Sequence, residues 1–167
     1  MNFEQLWAGW RATYLETAIH GLDHPVECVF CSLIALEDDP KAYILWRGTF
    51  AVAILNAYPY SSGHLMIMPK RHVGEMEELD PDEGMDLLRG ATNAVRALKS
   101  AYSPEGINVG VNIGSAAGAG IPGHFHIHVL PRWRGDTNFM TTVAGMRVIP
   151  ESLDVTWEKL SKAWPIS

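Results

Sequence analysis

The sequence predicts an α+β fold with a mainly antiparallel sheet and flanking helices. Two observations predict this class: the predicted strands outnumber the helices, and most links between neighbouring strands are too short for the crossovers that parallel strands need. Apolar residues make up 47% and charged residues 19% of the 167 residues, which argues against general disorder. Because no internal repeat or long linker interrupts the chain, we expect a single domain over residues 1–167.

The first half of the chain predicts one helix and three strands. Apolar positions recur at helical spacing over residues 3–19, which predicts an amphipathic N-terminal helix that Gly21 and Pro25 bring to an end. Two apolar or β-branched runs at 42–46 and 50–56, separated by a short turn, predict a hairpin. A turn around residues 59–63 leads to a third strand at 64–69.

The second half predicts a long helix, two strands and a helical tail. Asp80 followed by Pro81 and early acidic residues is a strong helix start. The helix carries apolar positions at Met85, Leu88, Val95 and Leu98, which we place on one stripe. Residues 107–113 alternate as a half-buried strand, residues 114–123 form a loop of small residues, and residues 124–131 form the last strand. The tail from 150 to 164 has helical character.

The charge and the apolar distribution exclude several classes of function. Thirteen basic and nineteen acidic residues give a net charge of −6, which does not suit a protein that coats nucleic-acid polymers but leaves room for a small anionic ligand. No run approaches the roughly 18 apolar residues of a membrane span, and the first residues do not form a signal peptide, so we expect a cytoplasmic protein without membrane contact. Two cysteines are too few for a disulfide scaffold.

The segment His124-Phe-His-Ile-His128 carries the chemistry. On a strand, alternate side chains share a face, so the three histidines point one way while Phe125, Ile127 and Val129 point into the core. Same-face neighbours are about 7 Å apart and the outer pair about 13 Å apart, so His124 and His128 of a regular strand cannot bind one metal ion. The three histidines must therefore divide their roles.

The central residue, His126, is the candidate nucleophile. The histidine side chain has a pKa near 6.5, so most of it is neutral at pH 7. The neutral imidazole can attack an electrophile such as phosphorus. Groups on both sides of it can stabilise phosphate oxygens. The glycine-rich loop at 114–123 offers backbone N–H donors without side-chain obstruction, which suits a phosphate group.

The pair Cys28 and Cys31 has the spacing of half a metal site, which needs two further ligands. Two buried thiols without metal are the alternative, and a redox pair is disfavoured because no strand signal precedes the cysteines. His20 and His24 are nearby candidates for ligation that we rank lower.

These motifs resemble the histidine triad nucleotide-binding proteins. The resemblance rests on residues 124–130, which match the triad motif, and on the stretch from Asn56 through residues 63–69, which matches the upstream nucleotide-binding strand pair. It covers roughly residues 28–135. Residues 131–133 and 135–140 also resemble the bacterial diadenosine tetraphosphate phosphorylases, which are also called ATP adenylyltransferases.

The resemblance implies an antiparallel α+β fold, a homodimer and a nucleotidyl-histidine intermediate on His126. His128 and the loop backbone, including Gly120, would then hold the phosphate oxygens. Asn56 matches the position that contacts the ribose, while Asn112 and Ser115 match polar positions near the phosphates. In zinc-bearing members the ligands correspond to Cys28, Cys31, His72 and His124, which implies a structural zinc ion.

The leading hypothesis is an AMP-transferring enzyme that cleaves a dinucleoside polyphosphate with inorganic phosphate. The loop reads Gly118-Ala-Gly-Ile-Pro122 and lacks the glutamine of many triad hydrolases, which favours a phosphorylase over a hydrolase. A hydrolase, a non-catalytic nucleotide-binding module and a metal-dependent enzyme with the triad as ligands remain alternatives.

Several other residues have open roles. His64 is either a nucleotide contact or a surface residue, and Trp7, Trp10 and Trp164 are expected in the core or a dimer interface. Asp136 and Asn138 are candidates for the path of a second nucleotide. Four basic residues are candidates for a rim that attracts polyphosphate: Lys70, Arg71, Arg132 and Arg134.

Overall fold

The computed structural model describes residues 28–136 and 150–165. In chain order, its helices and strands are α1 (Val29–Ala35), α2 (Asp39–Ala42), β1 (Ile44–Arg47), β2 (Ala51–Leu55), β3 (Leu65–Pro69), α3 (Pro81–Tyr102), β4 (Gly106–Val111), β5 (Ile127–Arg132) and α4 (Leu153–Ala163). Short 3₁₀ helices lie at Met76–Glu78 and Ser115–Ala117. The predicted helix at 3–19 lies outside the described residues, as do His20, His24, Trp7, Trp10 and Asn138.

The described strands form one five-stranded sheet in the order β1-β2-β3-β5-β4. Every neighbouring pair is antiparallel, which confirms the predicted fold class. The predicted hairpin is β1 and β2, and the Gly48 N–H closes it by donating to the carbonyl of Ala51 at 2.8 Å. The predicted third strand, β3, pairs with β2 without a bulge. No helix among the described residues is long and apolar enough to cross a membrane.

The central strands send alternate side chains to two apolar clusters, one on each side of the sheet. We call the side covered by α3 and α4 the α3 face. Its cluster includes Ala51, Ala53, Leu55, Leu65 and Ile67 of the strands with Leu87, Ala91, Ala94, Leu98, Leu160 and Trp164 of the helices and their ends. We call the opposite side the α1 face; its cluster consists of Phe30, Ala42, Ile44, Val52, Ile54, Met66 and Met68.

Helix α3 begins as predicted, and of its predicted apolar stripe Leu98 is buried and Val95 packs against the α3-face cluster. The backbone N–H of Asp80 donates to Oε2 of Glu83 at 3.0 Å, and Pro81 is the first helical residue. Met85 and Leu88 do not belong to the packed stripe, because their side chains are 67% and 60% exposed. The buried side of α3 instead carries small residues that let it approach the sheet closely: a Cβ added at Gly90 would lie 2.8 Å from a methyl carbon of Ile67.

The two strands that follow α3 also differ from their predictions. Strand β4 is mostly exposed rather than half-buried, with Val109 at 53% and Val111 at 38%, because it lies at the edge of the described sheet and pairs only with β5. Strand β5 begins at Ile127, so His124 and His126 precede it. The predicted helical tail is confirmed as α4, where the Ser152 side chain accepts a hydrogen bond from the Val155 N–H at 3.4 Å.

Candidate active site and Cys/His cluster

Four side chains that are distant in sequence lie together at the start of α1. Cys28, Cys31, His72 and His124 each place one ligand atom within 4.8 Å of the others. The sulfur of Cys28 is 3.4 Å from Nδ1 of His124, and the sulfur of Cys31 is 3.4 Å from Nδ1 of His72. We call these four residues the Cys/His cluster. Of the triad, only His124 belongs to it, which agrees with the predicted division of roles.

The hydrogen bonds of His124 suit a metal ligand. Its Nε2 lies 2.9 Å from the carbonyl oxygen of Pro69. Because a carbonyl only accepts, Nε2 carries the proton, and the lone pair of Nδ1 lies next to the two cysteine sulfurs. Burial lowers the pKa of His124, which favours the neutral form that binds metals. Two sulfur and two imidazole donors form a set that zinc prefers, and a backbone acceptor on the distal nitrogen is usual for zinc-bound histidine.

The cysteine pair occupies a helix start. Cys28 is the N-cap of α1, and Cys31 follows in its first turn. The two cysteines are not joined in a disulfide, and both are partly buried. Their contacts with two histidines favour a metal site over two isolated thiols.

A cavity of about 300 Å³ opens beside the cluster on the α1 face. Its lining is largely apolar, with a few polar groups at one end, as is usual for sites that bind small organic ligands. The apolar part is formed by Val29, Phe30, Leu33, Ile54, Leu55, Ala57, Met66 and Ile121. The rest of the lining consists of Asn56, Tyr58, Tyr60, Gly118, Gly120, His126 and His128.

His126 is held in a single tautomer. Its Nδ1 lies 2.8 Å from the carbonyl oxygen of His124, so Nδ1 carries the proton and Nε2 carries the lone pair. Burial lowers the pKa of His126, and this effect outweighs the opposing hydrogen bond to His124. The imidazole is therefore neutral near pH 7, with Nε2 available as a nucleophile.

A chain of hydrogen bonds fixes the tautomer of His128 as well. The Tyr60 N–H donates to Nδ1 of His64 at 3.1 Å, so the proton of His64 lies on Nε2. That Nε2 is 2.9 Å from Nδ1 of His128, which must accept. His128 therefore carries its own proton on Nε2, where it is a donor for a neighbouring oxygen. The ring centroids of His126 and His128 are 4.8 Å apart, so the Nε2 lone pair of His126 and the Nε2 proton of His128 lie on adjacent rings.

The contact of His64 with His128 is a feature of the site that sequence reasoning did not predict. His64 is 1% exposed, so its interpretation as a surface residue is wrong. A signal was present in the strand pattern: His64 shares a face with Met66, and Met66 pairs with His128. Only the order of the strands, which the sequence does not contain, brings the two histidines together.

Comparison with known proteins agrees with this geometry. Residues 39–135 match the family model of the HIT domain. The chain belongs to the histidine triad family. Over 98% of its length it is 38% identical to the AP-4-A phosphorylase of Mycobacterium tuberculosis, of which 85% is covered.

Solved structures of HIT proteins share the fold. A zinc-bound histidine triad family protein from Mycobacterium smegmatis superposes with a TM-score of 0.66 at 24% identity, over 82% of this chain and 92% of that one. A hypothetical histidine triad nucleotide-binding protein from Sulfolobus tokodaii gives a TM-score of 0.65 at 28% identity, over 81% and 91% of the two chains.

Among the predicted nucleotide contacts of this HIT chain, the cavity brings together Asn56, Gly120, His126 and His128. Oδ1 of Asn56 accepts from the Tyr58 N–H at 2.9 Å, which directs the amide nitrogen to the ring of His64. The described lining does not include Asn112 or Ser115, which lie just before and within the glycine-rich loop. Their role as phosphate contacts stays a prediction.

The three arginines of the predicted basic rim are paired with carboxylates. Arg71 binds Glu83 at 2.7 Å, and Arg134 binds Glu105 at 3.3 Å. Arg132 binds Asp136 at 2.6 Å, which gives Asp136 a partner other than a second nucleotide. Neither these arginines nor Lys70 are part of the described cavity lining. The attraction of polyphosphate by these four residues stays a prediction. Trp164 is buried as expected and stacks on Trp46.

Proposed function

We propose that this HIT protein transfers AMP from diadenosine tetraphosphate, or a related dinucleoside polyphosphate, to inorganic phosphate through a nucleotidyl-His126 intermediate. The observation that carries the proposal is the 2.8 Å contact between Nδ1 of His126 and the carbonyl of His124, which leaves the Nε2 lone pair free in a buried ring. The 38% identity to an AP-4-A phosphorylase supports the choice of substrate and acceptor.

In the first displacement, Nε2 of His126 attacks the α-phosphorus of one adenosine. The bond from that phosphorus to the bridging oxygen breaks, and ATP leaves with the bond electrons. The Nε2 proton of His128, held in place by His64, donates a hydrogen bond to the phosphate oxygens as negative charge shifts between them. Because both tautomers are set before substrate binds, little reorganisation is needed.

In the second displacement, an oxygen of inorganic phosphate attacks the same phosphorus. The bond from phosphorus to Nε2 breaks, ADP is released, and His126 recovers its lone pair. Dividing one transfer into two displacements is the general advantage of covalent catalysis.

The remaining lining supports nucleotide binding. The apolar wall formed by Val29, Phe30 and Leu33 suits a purine ring. Asn56 lies at the polar end, where its amide suits a ribose hydroxyl. Gly118 and Gly120 expose backbone near the two catalytic histidines without side-chain obstruction.

The Cys/His cluster would hold a structural zinc ion. Bound there, the ion would supply a cross-link between α1, the loop after β3 and the segment before β5. The homodimer implied by the resemblance and the extent of a single domain over residues 1–167 stay predictions.

Product analysis with and without phosphate tests the proposal. Diadenosine tetraphosphate is incubated with radiolabelled inorganic phosphate at increasing concentration, and the nucleotides are separated. We expect ATP and ADP in equal amounts, with the label in ADP and a rate that depends on phosphate. AMP and ATP at a rate independent of phosphate would indicate a hydrolase, and binding without turnover would indicate a nucleotide-binding module; either result contradicts the proposed transfer.

A further inference from the structure

We propose that the metal occupancy of the Cys/His cluster controls the nucleotide affinity of the cavity, with helix α1 as the connecting element. This inference rests on the proposed function, because it takes the cavity to be the nucleotide site. It assigns the cluster a role in substrate binding in addition to folding.

Helix α1 carries both metal-ligand residues and cavity wall. Cys28 and Cys31 are two members of the cluster, whereas Val29, Phe30 and Leu33 line the cavity. The helix has only seven residues. A helix of that length is not stable without tertiary anchors, so its position depends on the packing of Phe30 in the α1-face cluster and on the contacts at its two ends.

The two ends of α1 are anchored in different ways. At the C-terminal end, the guanidinium of Arg47 donates to the carbonyls of Ile34 and Leu36 at 2.7 Å each. At the N-terminal end, the two cysteines contact His72 and His124. Removal of a bound metal would release the N-terminal end, where Val29 and Phe30 lie, and leave the C-terminal anchor in place.

A second connection runs through His124. The side chain of His124 belongs to the cluster, and its carbonyl accepts the hydrogen bond from Nδ1 of His126. The ring of Phe30 makes edge contacts with both histidines, at 5.5 Å to His124 and 5.3 Å to His126. A displacement of the cluster therefore moves one apolar wall and the nucleophile together.

Thermodynamic linkage makes the effect reciprocal. If metal tightens the binding of AMP by some factor, then AMP must tighten the retention of metal by the same factor. We expect a factor of about ten, because couplings between two sites commonly fall between about 5-fold and 150-fold.

The first experiment compares AMP binding by zinc-loaded protein and by protein stripped with a chelator. Isothermal titration calorimetry gives the dissociation constants, and circular dichroism checks that the stripped protein is folded. About tenfold weaker binding by the folded, stripped protein supports the inference. Equal affinity overturns it and leaves the proposed function intact, whereas absence of AMP binding by the zinc-loaded protein contradicts the nucleotide site itself.

The second experiment needs no stripped protein. Zinc affinity is measured by competition with a chromophoric chelator, with and without saturating AMP. We expect AMP to tighten zinc binding about tenfold, and no effect of AMP overturns the inference even if the metal-free chain unfolds.

Two variants on α1 identify the connecting residue. Phe30→Leu keeps an apolar side chain but loses the two ring contacts, so it should bind zinc while AMP no longer changes zinc affinity. Ala35→Ser alters an exposed residue of the same helix outside the cavity lining and should keep the full effect. A full effect in Phe30→Leu would contradict the route through this ring.

Discussion

The two faces of the sheet are stabilised by different means. The α3 face is covered by a helix of 22 residues that packs small and apolar side chains closely against the strands. The α1 face is covered in part by a helix of seven residues, and its polar groups are arranged around a cavity. The α3 face depends on continuous apolar packing, whereas the α1 face combines a smaller apolar cluster with hydrogen bonds and the Cys/His cluster.

This difference assigns the stability of the fold mainly to the α3 face and the chemistry of the cavity to the α1 face. The buried histidines lie where a short helix leaves room for a ligand, while the continuous packing of the α3 face holds β3 and β5 in register. Substitutions of core residues on the α3 face should therefore change the free energy of unfolding, and substitutions of the cavity histidines on the α1 face should mainly change turnover. Four predictions test this separation.

The largest effect is expected for His126→Ala. Removal of the nucleophile should lower turnover about a thousandfold or more, because no covalent intermediate can form. The free energy of unfolding and the affinity for AMP should change little. Steady-state kinetics and chemical denaturation measure the two quantities, with Met85→Ala on the exposed side of α3 as a control. Turnover close to that of the natural chain would exclude His126 as the nucleophile.

The second largest effect is a loss of stability on substitution of a buried residue of the α3 face. Leu98 is fully buried, so Leu98→Ala should lower the free energy of unfolding by about 3 kcal/mol. Leu88→Ala, on the exposed side of the same helix, should change it by less than about 0.5 kcal/mol. Urea denaturation of both variants tests the packed side of α3, and equal effects would contradict it. Folded Leu98→Ala protein should keep its affinity for AMP.

The third effect concerns the hydrogen bonds behind His128. His64→Ala should lower kcat by about 10-fold to 100-fold, because His128 loses the partner that orients it and sets its tautomer. The change in AMP affinity should be small. His64→Gln, which keeps a donor and an acceptor, should recover part of the loss. If KM rose while kcat stayed constant, His64 would be a binding residue instead.

The smallest effect is electrostatic and concerns the contact between Arg71 and Glu83 at the start of α3. The hydrogen bond from the Arg71 side chain holds the pKa of Glu83 below its ordinary value. A lowered carboxyl pKa contributes stability that is present above the unfolded pKa and is lost as the pH falls through the folded pKa. Glu83→Gln should therefore be less stable than the natural chain near neutral pH and equally stable in acid. A difference that stays constant with pH in thermal denaturation would contradict this sign.

Local elements were predictable because their causes are local. The start of α3 at Asp80 and Pro81 follows from capping chemistry, and the hairpin of β1 and β2 follows from two apolar runs with a short turn. The packed side of α3 was predictable only in part: Leu98 is buried as expected, whereas Leu87, Gly90 and Ala94 complete the packed side in place of Met85 and Leu88.

The site was predictable in part. The alternation of His124, His126 and His128 indicated a division of roles, but spacing alone left the partners of Cys28 and Cys31 open. His72 and His124 lie 41 and 93 residues from Cys31, and only the resemblance pointed to them. The contact of His64 with His128 spans 64 residues and depends on strand order. The ion pair of Arg71 with Glu83 likewise depends on the fold, because it joins the loop after β3 to the first turn of α3.

His124 serves its two neighbours through different parts of the residue. Its imidazole faces the cysteines, and its main-chain oxygen accepts the hydrogen bond from Nδ1 of His126. Every amino acid supplies that oxygen, so replacement of the His124 side chain does not directly remove this hydrogen bond. A protein engineer could therefore change the donor set of the Cys/His cluster, for example with a third thiolate at this position, while retaining the acceptor for His126.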